Sequence, residues 1–351
     1  MTLRIAAIGH GDIAQRRHFP DLKRLGAEAE LVAIAGRNQA KLAETAKSFA
    51  IPSTYTDPAE MLARETIDAV LILTPPDTHA EHARLAISAG KHVMIEKPLV
   101  RTREEANALR DAAAANPGVT IFALPHYATA EFRLVQSLLE AKTIGEVTHV
   151  ESHRGHRGPT HAAWFYNRAL AGGGVLLDLG IYQLTAIAAL LGPATAMTAN
   201  LTTRFETRTL DDGSTITPDV EDSAILTLTL ATGAAVAASA TWNGYLSHHA
   251  TRARTTLIGR AGILHFGVAD GCIYVARADG AALPGAEPAD FDGDTCQRLR
   301  PAAPAGPPNL VAEFLARIQA NDTSRTSLTI QSHVLDIILT AYASTTTPLE
   351  P

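Results

Sequence analysis

A short apolar run, Leu3 to Ile8, leads directly into Gly9-His10-Gly11-Asp12-Ile13-Ala14, and a helix-compatible stretch follows. This order of strand, glycine turn and helix constrains the chain more than any other feature. It is the fingerprint of a dinucleotide-binding βαβ unit, with alanine in the third glycine place. Gly9 permits the tight turn. Gly11 lets the backbone approach a pyrophosphate, and the helix N-terminus offers N–H groups and partial positive charge to it. Ala14 is small enough for the helix to pack closely on the strand. The motif alone is common, but its place directly after an N-terminal strand points to a nucleotide site.

The alternation continues with a strand at Leu31–Gly36, a helix at Asn38–Phe49, a short strand at Ser53–Tyr55 and a helix at Asp57–Arg64. A strand at Ile67–Leu73 stops at Thr74-Pro75-Pro76. A helix at Thr78–Ala89 follows, with Asp77 as its expected cap and Gly90 as its stop. His92–Ile95 is a strand leading into Glu96-Lys97-Pro98, Arg103–Asn116 a helix capped by Thr102, and Val119–Ala123 a further strand. Strands separated by helices imply a parallel sheet with right-handed crossovers. After Pro125 the pattern changes. A helix at Glu131–Ala141 and a strand that begins with Ile144-Gly145-Glu146-Val147 and runs to about His153 precede a polar stretch, Gly155–Arg168, that carries Trp164, Phe165 and Tyr166. Gly172-Gly173-Gly174 introduces a helix, Val175–Leu191. From Ala194 to Val275 strand follows strand, with hairpin links at Thr232-Gly233 and Arg260-Ala261-Gly262, which predicts an antiparallel sheet. Residues 277–308 read as a long loop, and Asn309–Ala320 and Gln331–Thr345 as helices. The boundary falls near residue 124, giving domains 1–123 and 124–351.

Composition narrows the function classes. The 351 residues are 46% hydrophobic and 19% charged with a net charge of −6, a soluble globular balance that argues against a nucleic-acid surface. No block of like charge suggests a membrane-binding tail. Cys272 and Cys296 are too few for a disulfide framework or a thiolate zinc site, which fits a reducing, cytoplasmic setting. Residues 1–8 lack the basic and apolar regions of a signal peptide, and no uninterrupted apolar run approaches a bilayer span. The segment Leu226–Ala240, broken by polar residues, reads as paired strands. The histidine pairs His79/His82 and His153/His156/His161 are not taken as ligands, since no H-E-x-x-H occurs, and no metal is expected. His248-His249 reads as a polar turn.

Three constellations carry chemistry. An NAD-selective site usually ends its second strand in Asp or Glu, which accepts from the ribose 2′-OH. Here Gly36 holds that place and Arg37 follows, a fork of donors suited to a 2′-phosphate, with Lys41 one helical turn on. NADP(H) is therefore favoured, with NAD(H) as the alternative. Next, Glu96-Lys97-Pro98 and Thr74-Pro75-Pro76 both stand at carboxyl ends of strands, where ligands of open parallel sheets bind. Finally, Asp178 and Tyr182 lie four apart on one face of an apolar helix, where an acid and a phenol are costly to bury without purpose.

The order G-H-G-D-I-A, then T-P-P-D-T-H-A-E-H-A and A-G-K-H-V-M-I-E-K-P, then G-G-G-V-L-L-D-L-G-I-Y resembles the glucose–fructose oxidoreductase / inositol dehydrogenase (Gfo/Idh/MocA) family. The likeness extends through E-D-S-A-I-L-T-L near 221–228 to the closing helix at Ala341-Tyr342-Ala343-Ser344. It implies an N-terminal Rossmann domain and an α+β C-terminal domain with a large, mostly antiparallel open-faced sheet, whose open face commonly serves oligomer contacts. A homodimer or homotetramer is then expected, with no nucleic acid or membrane partner. It also implies hydride transfer between NAD(P) and a sugar, cyclic polyol or sugar-derived ketone. Carried over residue by residue, Gly9, Gly11, Asp12, Ile13 and Ala14 match the cofactor turn, and Gly36 and Arg37, with Lys41, the ribose position. Thr74, Pro75 and His79 match the stretch beneath the nicotinamide ribose. Glu96 and Lys97 match the E-K-P motif, with its catalytic lysine, and Asp178 and Tyr182 the acid and proton donor of the substrate domain. Many members carry His in place of Tyr182. The segment His126-Tyr127-Ala128-Thr129-Ala130 also departs from the usual Asn- or Arg-containing one. His126, Trp164, Tyr166 and Arg168 are candidate pocket residues. In this scheme Lys97 lowers the phenol pKa of Tyr182 and Asp178 orients the substrate hydroxyl or Lys97. The alternatives are a hydrolase or lyase that uses tightly bound NAD(P) transiently, and a non-catalytic cofactor-sensing protein.

Overall fold

The computed structural model describes residues 2–123, 129–243, 253–268, 270–302, 309–324 and 326–344. The segment His126-Tyr127-Ala128 and the pair His248-His249 lie outside them. The chain divides into two units, one of Met1–Pro125, Ala169–Gly172 and Asn309–Leu335, the other of His126–Arg168, Gly173–Pro308 and Asp336–Pro351.

The first unit begins with β1 (Leu3–Ile8), α1 (Phe19–Arg24), β2 (Ala29–Ala35), α2 (Gln39–Phe49), β3 (Ser53–Tyr55) and α3 (Pro58–Arg64). It continues with β4 (Ala69–Ile72), α4 (His79–Ser88), β5 (His92–Ile95), α5 (Arg103–Ala115) and β6 (Ile121–Ala123). All six strands are parallel, in the order β3-β2-β1-β4-β5-β6. The order reverses between β1 and β4, so the crevice expected of such a sheet opens beyond the carboxyl ends of those two strands. The strands are nearly continuous apolar runs because helices cover both faces: Ile5, Ala6, Ala7, Val70, Leu71 and Ile72 are fully buried. Thr102 and Glu105 form a reciprocal capping box on α5. Asp77, the expected cap of α4, does not cap it. Pro76–Thr78 forms a 3₁₀ turn and the cap position falls on Thr78, without a side-chain hydrogen bond.

Between the glycine turn and α1, residues Ala14–His18 form a π-turn in which the Phe19 N–H donates to the Ala14 carbonyl. Pro20 explains it. Proline donates no N–H and its ring crowds the carbonyl one turn back, and a widened turn relieves that crowding.

The second unit carries α6 (Ala130–Glu140) and β7 (Val147–Gly155); a single turn follows in the chain, α7 (Arg168–Ala171), whose last three residues count with the first unit. A π-turn at Leu176–Gly180 then runs into α8 (Ile181–Leu191). The strands that follow are β8 (Ala194–Thr202), β9 (Arg208–Thr209), β10 (Thr215–Ile216), β11 (Ser223–Leu230), β12 (Ala235–Thr241), β13 (Arg254–Gly259), β14 (Gly262–Phe266), β15 (Ile273–Arg277), β16 (Glu287–Phe291) and β17 (Asp294–Leu299). Nine of these strands form one sheet, β16-β17-β15-β14-β13-β7-β12-β11-β8, antiparallel except where β7 pairs with β12. Its two faces differ sharply. On β11, Ala224, Leu226, Leu228 and Leu230 are buried while Ile225, Thr227 and Thr229 are exposed.

One expectation is corrected here. Residues 277–308 are not one long loop: β16 and β17 make a hairpin around Asp292-Gly293, whose φ angles of 55° and 92° are those of a tight type I′ turn. The Ala-, Pro- and Gly-rich composition outweighed this Asp-Gly signal. The helical stretch Arg168–Leu191 has the length and mean hydropathy, 1.8, of a membrane span, but 61% of its most apolar part is buried inside the fold. It reads as a core helix.

The chain closes with α9 (Leu310–Gln319) and α10 (Thr326–Ala343). Within the first unit, Asn309 Nδ2 donates to the Asp21 carbonyl at 3.0 Å and Phe314 stacks on Phe122 with ring centroids 6.0 Å apart. Ser327 Oγ donates to the Ile121 carbonyl at 3.1 Å. The first unit is thus completed by helical segments nearly two hundred residues further on.

Candidate functional site

In the first unit a groove of about 720 Å³ opens at the reversal of strand order. Gly9, Gly11, Asp12, Gly36, Arg37, Lys41, Thr74 and Pro75 all line it. Gly9 has φ +100°, and a Cβ there would stand 2.6 Å from the Leu73 carbonyl group, so only glycine lets β1 and β4 end side by side. A Cβ on Gly11 would meet nothing within 4 Å, because that position faces the open groove. Ile13 and Ala14 do not line it: Ala14 is buried and Ile13 is an exposed apolar side chain, 38% accessible. The Asn38 side chain caps α2, accepting from the Lys41 N–H at 3.0 Å.

The groove wall also holds buried polar atoms without hydrogen-bond partners among the described residues. These are Thr74 Oγ1 and His82 Nδ1. Such atoms are costly unless something bonds to them. Burial pushes the His82 imidazole below its usual range, so it faces the groove in its neutral form. A dinucleotide bound in the groove would offer polar groups to Thr74 Oγ1 and His82 Nδ1, and the open position at Gly11 would leave room for a pyrophosphate. The residues present therefore fit a nicotinamide dinucleotide.

His79 and Glu96 act from behind the surface. His79 is fully buried, and its ring nitrogens face the Pro98 carbonyl at 2.8 Å and the Thr74 carbonyl at 2.7 Å. It ties the turn after β4 to the turn after β5. Glu96 turns inward: Oε1 accepts from His18 Nε2 at 2.8 Å, and Oε2 accepts from the backbone N–H of Lys97 at 2.8 Å. Both residues hold the Lys97 loop, His79 wholly buried and Glu96 nearly so.

In the second unit, Asp178 lies in the π-turn and Tyr182 in the first turn of α8. Asp178 Oδ2 accepts from the Trp242 indole N–H at 3.3 Å. The Arg154 guanidinium lies over the Tyr182 ring, 4.9 Å from its centroid. Arg154, which the sequence reading overlooked, stands on the inner face of β7 with Val150 and Ser152. Burial pulls its guanidinium below the usual range, while Tyr182, Glu131 and Asp178 hold it up. Glu131 accepts from the Gly267 N–H at 2.7 Å, and burial pushes its carboxyl up. Glu131, Arg154 and Tyr182 line a cavity of about 170 Å³. A phenol, a cation and two carboxylates thus meet at one end of the sheet.

The pocket candidates divide. Trp164 stacks on Phe165 with ring centroids 3.8 Å apart. Tyr166 is only 3% exposed and donates to the Pro159 carbonyl at 2.7 Å, and burial pushes its phenol up to about 12. It is a core residue. Tyr166→Phe is expected to cost about 1–2 kcal/mol of stability by orphaning that carbonyl, with unchanged steady-state constants. Thermal melting beside a kinetic assay checks both. Arg168 is bound up with the fold, its backbone N–H donating to Asp219 Oδ1 at 2.6 Å and its guanidinium lying 5.3 Å from the Tyr342 ring centroid. His126 lies outside the described residues. Among them, no group of three or more His, Cys, Asp or Glu side chains is placed to hold a metal ion, and Cys272 and Cys296 are both buried free thiols.

Comparison with known proteins agrees with this architecture. Residues 3–123 match the family description "oxidoreductase family, NAD-binding Rossmann fold", and residues 132–265 match a GFO/IDH/MocA C-terminal domain. The D-glucoside 3-dehydrogenase of Escherichia coli is 31% identical over 192 residues, 54% of this chain and 54% of that protein. The chain spans between about half and two thirds of the length of the curated relatives it matches. A levoglucosan dehydrogenase in complex with NADH and L-sorbose superposes with a TM-score of 0.83 at 23% identity, over 97% of both chains. A variant of a 3-ketoreductase from Actinomadura kijaniata, in complex with TDP-benzene and NADP, superposes with a TM-score of 0.73 at 22% identity, over 98% of both. At those identities the two structures speak for the fold.

Proposed function

The chain belongs to the Gfo/Idh/MocA oxidoreductase family, and from that premise we propose that it is an NADP(H)-dependent oxidoreductase acting on a sugar, cyclic polyol or sugar-derived ketone. The observation that carries the reading is the groove at the strand-order reversal, where Arg37 and Lys41 stand beside Gly36 and no carboxylate ends β2. Two cations near the ribose 2′ position favour a phosphate there and would not repel it. The substrate class rests on the sugar oxidoreductases among its relatives, a D-glucoside 3-dehydrogenase among them.

When bound, the nicotinamide cofactor supplies the hydride donor or acceptor. The protein's part is binding and proton handling, assigned to Lys97 and Tyr182. In the reducing direction the Tyr182 phenol donates its proton to the carbonyl oxygen, and in the oxidising direction the phenolate takes it back. Arg154 stabilises that phenolate. Asp178, held by Trp242, accepts from a substrate hydroxyl. His79, Glu96 and His18 fix the loop that bears Lys97. The same proposal includes a cytoplasmic location, in keeping with the two free cysteines, and a homodimer or homotetramer formed through the exposed sheet face, where Ile225 is 56% accessible.

Titration with NADPH and NADH, followed by fluorescence or calorimetry, tests the cofactor assignment. NADPH is expected to bind at least tenfold more tightly. Equal or stronger NADH binding would overturn the preference. Binding of neither, by protein shown to carry no retained nucleotide, would overturn the dehydrogenase reading.

A further inference from the structure

The turn Gly9-His10-Gly11 needs glycine at 9, but it makes no backbone demand on His10. His10 nevertheless lays its imidazole across the end of β2. A Cβ built on Gly36 would stand 2.6 Å from His10 Cδ2 and 2.8 Å from His10 Nε2, closer than real side chains approach. The ring is anchored on its far side, where Nδ1 lies 3.2 Å from the Thr45 hydroxyl on α2. Burial, and then the neighbouring Lys41 ammonium, push the imidazole below its usual range. His10, Gly36, Lys41 and Thr45 all line the groove.

We infer that His10 is a specificity-determining residue: its imidazole fills the place where NAD-selective sites carry the ribose-binding carboxylate, so that side chains at 10 and 36 are mutually exclusive. The inference rests on the NADP(H) reading above and extends it. With the His10 ring in this place, a side chain at 36 enters only by displacing it. A neutral ring beside Arg37 and Lys41 keeps negative charge away from the ribose 2′ position. The sequence presents Gly36 as a missing acid, and the structure presents it as one half of a pair.

The test is equilibrium binding of NADPH and NADH, by calorimetry, to the intact protein and to His10→Ala, Gly36→Asp and the double variant. Gly36→Asp alone is expected to weaken both cofactors at least tenfold, because the carboxylate enters only by displacing the ring. The double variant is expected to bind NADH at least tenfold more tightly than Gly36→Asp does and to prefer NADH to NADPH. Such coupling is the mark of two side chains in one space. If Gly36→Asp alone binds NADH as tightly as the double variant, the two positions do not compete and the inference fails. Should Gly36→Asp not fold, Gly36→Ala read by thermal melting decides the matter. A lowered melting temperature that His10→Ala restores supports the inference, and an unchanged one overturns it. Wild-type protein that prefers NADH overturns the NADP(H) assignment while the coupling still decides the role of His10. Wild-type protein that binds neither overturns both.

Discussion

The Tyr182→Phe variant is expected to keep its fold and its cofactor affinity and to lose about a hundredfold or more in turnover. The substitution removes one O–H and leaves the ring in place over Arg154. A hundredfold corresponds to about 2.7 kcal/mol of transition-state stabilisation, a fair share for one acid/base group. A free phenol has a pKa of about 10, too high for efficient proton exchange near neutrality. The Arg154 guanidinium, 4.9 Å from the ring centroid, favours the phenolate. Removing the cation in Arg154→Gln is therefore expected to move the inflection of the pH–rate profile upward in either direction of reaction. A merely structural Arg154 would change stability and leave the inflection where it was. Steady-state kinetics across pH, on a keto-sugar or polyol found by screening with the preferred cofactor, gives both results. Turnover of Tyr182→Phe within about threefold of wild type would remove Tyr182 from the proton step.

What the sequence reveals, and what it hides, follows the range of the interactions. Gly9 and Gly11 are legible because a glycine turn is local chemistry, and Thr102 with Glu105 is legible because a capping box spans three residues. Glu96 is not, since its partner His18 lies 78 residues away and nothing in E-K-P announces an inward carboxylate. Nor is the π-turn that carries Asp178, for it depends on how the helix is seated. Arg154 did leave a signal. On β7 the even positions Val150 and Ser152 face inward, and a charged residue continuing that face stands where apolar side chains are expected. The return of Asn309–Leu335 to the first unit depends on Phe314 meeting Phe122, a contact between distant segments that periodicity cannot show. The Asp292-Gly293 hairpin was readable from its turn residues, and composition obscured it.

The three-glycine run leads to the second large effect, on stability. Gly174→Ala is expected to destabilise the protein by about 3 kcal/mol, at the upper end of overpacking costs. The new methyl would fall on the Glu221 carbonyl oxygen, a backbone atom already accepting from the Val175 N–H at 3.0 Å and unable to swing aside. The Glu221 carboxylate lies beneath the same turn. It accepts from the N–H groups of Gly174, at 3.0 and 3.1 Å, and of Leu176, at 3.0 Å, and from the Tyr342 hydroxyl at 2.9 Å. An anion at a helix N-terminus, bonded to otherwise orphaned donors, fixes where that helix starts. Burial pushes the Glu221 carboxyl up, and these same donors pull it down. At roughly 2–4 °C per kcal/mol, the apparent melting temperature should fall by about 6–12 °C. Gly118→Ala is the control, since its Cβ would meet nothing within 4 Å, and it should stay within about 0.5 kcal/mol of wild type. Gly174 also sits four residues before Asp178 and eight before Tyr182, so a displaced helix start moves both. Gly174→Ala should therefore lower turnover at temperatures where it remains folded. If it instead melts like Gly118→Ala and turns over like wild type, the seat on Glu221 does not set the position of the acid and the phenol.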